Sequence, residues 1–296
     1  MRQGSATGRR LAGAALATVA AAAALLLLGA GRSGAAPSEG RHRAEIGEAR
    51  RGSVTVRIAP ALDVVVSGAL AAGRPIVVID PGHGGRDPGA VSVSGEVAEK
   101  QLTLALAREL RDRLVRRGRV RVALTRDSDR YLSLEERAGV ARGLGASLFV
   151  SLHMDSAPNP LARGASVYSL SDVASDAEAA RFAAAENAGR TARADDGSVR
   201  SMLSDLAMRS QMSASADLAS RLVRKSAWRV EMRPEPHRFA TFHVLRRADA
   251  PAVLFEAGYV SNADDELLLR TPEHRAALVA SLAETIEADV AARSRR

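Results

Sequence analysis

The sequence has no cysteine and very few aromatic residues. Among its 296 residues there are no Cys, one Trp, three Tyr and five Phe. Without cysteine the chain forms no disulfide, no thiolate metal site and no Cys nucleophile. Runs of basic residues interleaved with aromatic ones are also missing, so the sequence gives no support for a nucleic-acid partner.

The formal net charge is +8, and half of it comes from the N-terminus. Residues 1–35 contain four arginines and no acidic residue, and subtracting these four charges leaves +4 for the rest. A mildly basic chain suits an anionic polymer as substrate, but many soluble proteins are equally basic. Charge alone therefore selects no partner.

Residues 1–35 have the pattern of an export signal. Arg9 and Arg10 precede the uncharged stretch 11–30, and the small residues Ser33, Gly34 and Ala35 follow it. The alternative is an uncleaved membrane anchor, because twenty residues just span a bilayer. We expect cleavage, since much of the stretch is weakly hydrophobic alanine. Contact with a membrane is then expected only if the signal stays attached.

Residues 36–73 are interpreted as a tether and short N-terminal extension, and residues 74–296 as one domain. Within that domain apolar, strand-like runs alternate with helical stretches. This order predicts an α/β fold with a mainly parallel twisted sheet and helices on both faces. The predicted strands cover residues 76–80, 120–124, 148–152, 166–170, 241–245 and 252–255.

Four residues at the ends of these elements are candidates for a functional site. His83 follows the first strand through Pro-Gly, His153 follows the third strand, and Glu256 follows the last. Glu99 opens the helix predicted over 98–117. Open α/β folds bind their ligands at the carboxyl ends of parallel strands. Two His, one Glu and a further Glu suit a catalytic zinc site with three ligands, an open position and a base.

Each candidate also has a structural interpretation. A carboxylate such as Glu99 is favoured in the first turn of any helix by the helix dipole. A packed core histidine is the alternative interpretation of His153 at the end of an apolar strand. If His153 is a ligand, Asp155 is placed to orient it. Asp80 and Asp87 are interpreted as residues that shape the loop or support a ligand, since Asp often organises turns.

Several motifs together resemble a known family. They include Asp-Pro-Gly-His-Gly-Gly at 80–85 and further blocks at 87–90, 99–100, 125–127, 151–153, 242–246 and 256–262. In this order they resemble the zinc-dependent N-acetylmuramoyl-L-alanine amidases that cut the bacterial cell wall during daughter-cell separation. The resemblance covers about residues 74–292.

The resemblance implies a six-stranded α/β fold in which His83, Glu99 and His153 bind one zinc ion and Glu256 is the catalytic carboxylate. It implies hydrolysis of the peptidoglycan amide between N-acetylmuramic acid and L-alanine, which releases stem peptides. It also implies export to the periplasm, or secretion to the cell wall. Two alternatives stay open, a zinc peptidase that cuts within the stem peptide and a catalytically silent peptidoglycan-binding protein.

Two departures from the family bear on targeting and regulation. Residues 36–73 are too short for the β-rich targeting domain that some relatives carry. Residues 189–201 are short for the inserted helix with which some relatives block their zinc site. We therefore expect weaker autoinhibition, while a protein activator at the division site remains a possible partner.

Overall fold

The structure is a computed structural model that describes residues 64–68, 73–188 and 199–295. The predicted signal, 1–35, and most of the predicted tether, 36–73, lie outside these ranges. All described residues belong to one of the two units into which the chain divides, residues 58–296. Within the described ranges, no helix has both the length and the apolar character needed to cross a membrane.

A seven-stranded mixed sheet with order β1-β3-β2-β4-β7-β5-β6 forms the centre of the described part. The strands are β1 (Val66–Ser67), β2 (Ile76–Pro81), β3 (Arg121–Leu124), β4 (Leu148–Asp155), β5 (Ala165–Leu170), β6 (Met232–Ala240) and β7 (Ala252–Tyr259). Strands β3, β2, β4 and β7 are parallel, whereas β1 and β5 pair antiparallel with β3 and β7. The predicted α/β fold and mainly parallel sheet are confirmed. Five of the six predicted strands are present as β2, β3, β4, β5 and β7, whereas β1 and β6 are not among the six.

In the described ranges, seven helices cover the two faces of the sheet. They are α1 (Glu99–Arg117), α2 (Leu134–Gly143), α3 (Ala177–Glu186), α4 (Val199–Ser226), α5 (His243–Arg246), α6 (Ala263–Arg270) and α7 (Pro272–Arg293). One hydrophobic cluster joins α1, α6, α7 and the C-terminal part of α4 to the sheet. The other cluster joins α2, α3 and α5 to the opposite face. Alternate side chains of each central strand enter the two clusters, which is why these strands are apolar throughout.

Helix α1 shows why the helical prediction succeeds. Leu102, Leu106, Leu110 and Leu114 are all buried, as their four-residue spacing requires of one helix face. Gly118 ends the helix in the left-handed conformation with φ of 68°, and its N–H donates to the carbonyl of Leu114. Glu99 is the first residue of this helix. The packing of the helix against the sheet therefore also fixes the position of Glu99.

The strand predicted over 241–245 is wrong. The chain is extended over Met232–Ala240 as β6, and His243–Arg246 form the short helix α5. Pro234 and Pro236 concealed the strand, because proline cannot donate to a sheet ladder. Strand β6 tolerates them since it lies at the edge of the sheet and pairs only with β5.

Candidate metal centre

Three adjacent strands bring the predicted site residues to one edge of the sheet. Strands β2, β4 and β7 are neighbours, and their carboxyl ends lead to His83, His153 and Glu256. His153 pairs directly with Glu256 in the register of β4 and β7. Helix α1 starts at the same edge, where the Glu99 N–H donates to the Ala90 carbonyl at 2.8 Å. All four residues therefore converge.

Glu99 lies between the two histidines. Its Oε1 is 3.0 Å from His153 Nδ1, and its Oε2 is 3.1 Å from His83 Nε2. The backbone N–H groups of Met154 and Ala90 donate to the same two oxygens at 3.0 Å and 2.9 Å. The two imidazole rings meet edge to face with centroids 5.0 Å apart. The carboxylate is thus fixed by the backbone and faces both rings.

Asp87 orients the ring of His83. The Asp87 carboxylate is 3.0 Å from His83 Nδ1, which leaves Nε2 facing the centre of the site. His83 Nε2 is buried and, although near Glu99, has no partner in hydrogen-bond geometry. A carboxylate bonded to one ring nitrogen and a second ring nitrogen without a hydrogen bond are typical of a metal-binding histidine. Asp87 thus contacts His83 as the prediction requires, and its support of a metal ligand stays a prediction.

Two buried arginines hold the loop that carries His83. Arg126 donates to the carbonyls of Pro81 at 3.0 Å and Gly82 at 2.7 Å. Arg137 donates to the carbonyls of Pro81 at 2.8 Å and His83 at 2.7 Å. His83 itself has φ of 58°, a left-handed conformation that few residues other than glycine adopt. The two guanidinium groups therefore hold a strained turn in place.

Asp80 balances one of these two charges. Its Oδ1 is 2.8 Å from Arg137 Nη1, and Ser151 Oγ donates to its Oδ2 at 3.0 Å. Burial acts to raise the pKa of Asp80, but Arg137 together with the Thr125 hydroxyl and His153 outweighs burial and holds the pKa below its usual value. Burial and the nearby Arg137 lower the pKa of Arg126 to about 10. The loop-shaping role predicted for Asp80 is confirmed, whereas the two arginines were not recognised from the sequence.

Glu186, the last residue of α3, joins the site and was not predicted. Its Oε1 is 3.7 Å from His83 Nε2, and its Oε2 is 3.6 Å from His153 Nδ1. His83, His153 and Glu186 together offer three ligand atoms within 4.8 Å of one another. One signal was available in the sequence, because a carboxylate at the C-terminal end of a helix opposes the helix dipole.

Glu256 lies beside His153 without a hydrogen bond. Its side chain is fully buried, and both carboxylate oxygens lack a partner among the described residues. Burial raises its pKa well above the usual value, and Asp155, Glu99 and Glu186 add to the rise by repulsion. A carboxyl with a raised pKa can hold and release a proton near neutral pH.

The electrostatics of the site favour a cation. Burial acts to lower the pKa of His83, but Asp87 and Glu99 outweigh it and raise the pKa well above its usual value. The negative charges that stabilise a proton on the His83 imidazole also attract a metal ion to the same position, because both are Coulomb interactions with a cation. Nitrogen and oxygen atoms bonded tetrahedrally to one zinc ion lie about 3.3 Å apart, given bonds of about 2.0–2.1 Å. The separations between the histidine nitrogens and the two glutamates, from 3.0 to 3.7 Å, bracket that value, so this donor set fits a metal.

Two cavities open beside these residues. The smaller, about 330 Å³, is lined by His83, His153 and Glu186. The larger, about 870 Å³, is lined among others by Asp155, which the sequence placed as a support for His153. Asp155 instead accepts a hydrogen bond from the Ser156 N–H at 2.7 Å, and burial raises its pKa to about 6. Ala185 lines both cavities, so the last turn of α3 separates them.

Comparison with known proteins identifies relatives of the whole domain. Residues 77–288 match the Amidase_3 family, described as N-acetylmuramoyl-L-alanine amidase. The N-acetylmuramoyl-L-alanine amidase AmiA of Escherichia coli is 34% identical over 220 residues, which cover 72% of this chain and 75% of that protein. The AmiC amidase of Neisseria meningitidis is 32% identical over 219 residues, 72% of this chain and 52% of that protein.

Solved structures give the same result. The catalytic domain of CwlV, an N-acetylmuramoyl-L-alanine amidase from Bacillus (Paenibacillus) polymyxa var. colistinus, superposes with a TM-score of 0.53 at 28% identity, covering 72% of this chain and 96% of that one. The amidase AmiC2 of Nostoc punctiforme superposes with a TM-score of 0.55 at 26% identity, covering 76% and 99%. Sequence and fold therefore point to the same relatives.

We predict that Gly82→Ala impairs metal binding. A Cβ at position 82 would lie 2.4 to 2.7 Å from three ring atoms of His153, so the ring or the end of β2 must shift. We expect the bound divalent metal, measured by mass spectrometry after dialysis, to fall at least several-fold. Gly139→Ala in α2 is the control, because its Cβ meets only the end of the Arg142 side chain at 3.8 Å. Wild-type metal content in Gly82→Ala would contradict the placement of His153.

Proposed function

This chain belongs to the N-acetylmuramoyl-L-alanine amidase family, and we propose that it uses one zinc ion to release stem peptides from peptidoglycan. The bond cut is the amide between N-acetylmuramic acid and L-alanine. One observation carries the proposal: two histidines and Glu99 converge beside Glu256, a buried carboxyl with no hydrogen bond.

We propose His83, Glu99 and His153 as the protein ligands of the metal. Their donor atoms are the nitrogen and oxygen types that zinc prefers, and Asp87 and the backbone orient two of the three. Zinc bound there would supply Lewis acidity, which polarises a carbonyl and makes water more acidic. The fixed position of Glu99 argues that this group is preorganised.

Glu256 is proposed to transfer the proton in this reaction. Hydrolysis needs a group that takes a proton from the attacking water and gives one to the leaving amine of L-alanine. Glu256 is one strand away from His153, and its raised pKa comes from burial and from three neighbouring carboxylates. No hydrogen bond competes for its oxygens among the described residues.

Glu186 restrains this chemistry in the conformation described. Its carboxylate lies 3.7 Å from His83 Nε2 and 3.6 Å from His153 Nδ1, and a catalytic zinc ion held by these histidines would need a position open to water. Water and substrate therefore need Glu186 to move. This counts against the weak autoinhibition expected from the short segment 189–201, of which residues 189–198 lie outside the described ranges, and it favours a protein activator.

The biological setting is proposed from the substrate and the N-terminus. Peptidoglycan lies outside the cytoplasmic membrane, and residues 1–35 have the pattern of an export signal. We propose that residues 74–296 act there as the catalytic domain after residues 36–73 as a tether. The likeness of the motif blocks to amidases of daughter-cell separation supports a role in dividing cells.

We predict that the purified chain, with Glu186 displaced by an activator or removed in Glu186→Ala, frees stem peptides that start at L-alanine from isolated cell-wall sacculi. Mass spectrometry identifies the products, and a chelator should abolish release while added zinc restores it. Shortened peptides still joined to muramic acid would instead establish a zinc peptidase. Tight binding to sacculi without release, even from the metal-loaded chain, would favour a silent binding protein.

Glu256→Ala and Glu186→Ala are predicted to act in opposite directions. Loss of the proton-transferring carboxyl should lower the rate by about 10²–10⁴-fold. Loss of the carboxylate that fills the open position should raise the rate, or remove the need for an activator. Both variants should retain metal, which is measured on the same samples. Equal losses of activity would mean that Glu186 supports the metal rather than restrains the enzyme.

Export is predicted to leave a mature protein that starts close to residue 36. N-terminal sequencing of the protein recovered from outside the cytoplasm measures this start directly. Recovery of the intact N-terminus in the membrane fraction would show that residues 11–30 act as an anchor.

A further inference from the structure

Two of the charged side chains that line the larger cavity have no ion-pair partner among the described residues. Three acidic and three basic residues line it, and four of these six pair with each other. Arg233 Nη2 is 3.0 Å from Glu178 Oε2, and Arg163 Nη2 is 2.5 Å from Glu231 Oε2. The two charged residues that remain are Asp155 and Arg181.

Asp155 lines the cavity and has a buried carboxylate. The residue is 4% exposed, and its Oδ2 has no hydrogen-bond partner among the described residues. The neighbouring Tyr259 hydroxyl accepts from Arg233 at 2.5 Å and donates to Glu178 at 3.4 Å, and it also lies near enough to Asp155 to act against the rise of the Asp155 pKa. A buried carboxylate oxygen without a hydrogen bond is costly unless a ligand satisfies it.

Arg181 presents the opposite charge from α3. Glu178, Arg181, Phe182 and Ala185 all line the cavity and share one helix face by their spacing of three and four residues. Arg181 is exposed and makes no ion pair with any described residue. A guanidinium group without an ion pair can bind a carboxylate through two parallel hydrogen bonds.

We propose that this cavity binds a side chain carrying both an ammonium and a carboxylate group, as diaminopimelate does at the third position of a stem peptide. Asp155 accepts from the ammonium group, and Arg181 donates to the carboxylate. The proposal rests on the amidase function proposed above. It gives that function a preference for diaminopimelate over lysine, whose side chain has the ammonium group alone.

Distance and volume agree with this assignment. Asp155 lies two residues beyond His153 on β4, or about 6.6 Å along the strand. The third stem-peptide residue lies two residues beyond the cleaved bond, about 7 Å or more in an extended chain. A cavity of about 870 Å³ accommodates the side chain, and Leu161, Phe182 and Pro234 offer apolar surface to its methylene groups.

The test compares two free tripeptides that differ only in the third residue, L-Ala-γ-D-Glu-diaminopimelate and L-Ala-γ-D-Glu-L-Lys. Their affinities for the full chain are measured by calorimetry, with metal bound and with metal removed. We expect the diaminopimelate peptide to bind at least tenfold more tightly. Arg181→Ala should abolish that preference. Asp155→Asn should lower the affinity for both peptides while the metal content stays unchanged.

Arg224→Ala is the matched control, because Arg224 is an exposed arginine on α4 that does not line the cavity. It should bind both peptides as the wild type does. Equal affinity of the wild type for the two peptides, or a preference that survives Arg181→Ala, would overturn the subsite. Equal hydrolysis of sacculi that contain diaminopimelate and of sacculi that contain lysine would overturn the subsite alone. A preference without hydrolysis, even by the metal-loaded Glu186→Ala variant, would retain the subsite and overturn the amidase.

Discussion

The metal centre depends on two buried guanidinium groups that collect the carbonyls of one loop. Where β2 ends, the backbone leaves the sheet and its carbonyls at 81, 82 and 83 lose their partners in the ladder. Arg126 and Arg137 supply the missing donors from opposite elements, the chain after β3 and helix α2. Removing one partner from a buried charged network costs about 3–5 kcal/mol. This cooperation allows His83 to keep a left-handed backbone and a fixed ring.

The sequence predicted the parts of the site that follow from sheet geometry. His153 and Glu256 follow apolar runs, and parallel strands place their carboxyl ends together, so their meeting was predictable. Glu186 was missed because its position depends on how α3 packs, which the strand pattern does not encode. The aromatic contact between Phe182 and Tyr168, with centroids 5.2 Å apart, fixes that packing. Arg126 and Arg137 were missed because an arginine side chain is usually exposed at the protein surface.

The direction of the sheet changes next to the site. Strand β5 runs antiparallel to β7, and β6 follows β5. The amino ends of β5 and β6 therefore meet the carboxyl ends of β4 and β7. The larger cavity forms at this junction, since its lining includes Asp155, Arg233 and Tyr259 from three of these strand ends. A register shift between His153 and Asp155 in the pairing of β4 with β7 adjusts the side chains there, as β-bulges near functional sites do.

The two edges of the sheet are unlike its centre. Strand β1 has only two residues, and β6 contains Pro234 and Pro236 together with charged side chains. An open edge invites a strand from another molecule, and short strands, prolines and charges are the usual protections against it. A sheet with this many apolar central strands is therefore protected at both ends from edge-to-edge aggregation.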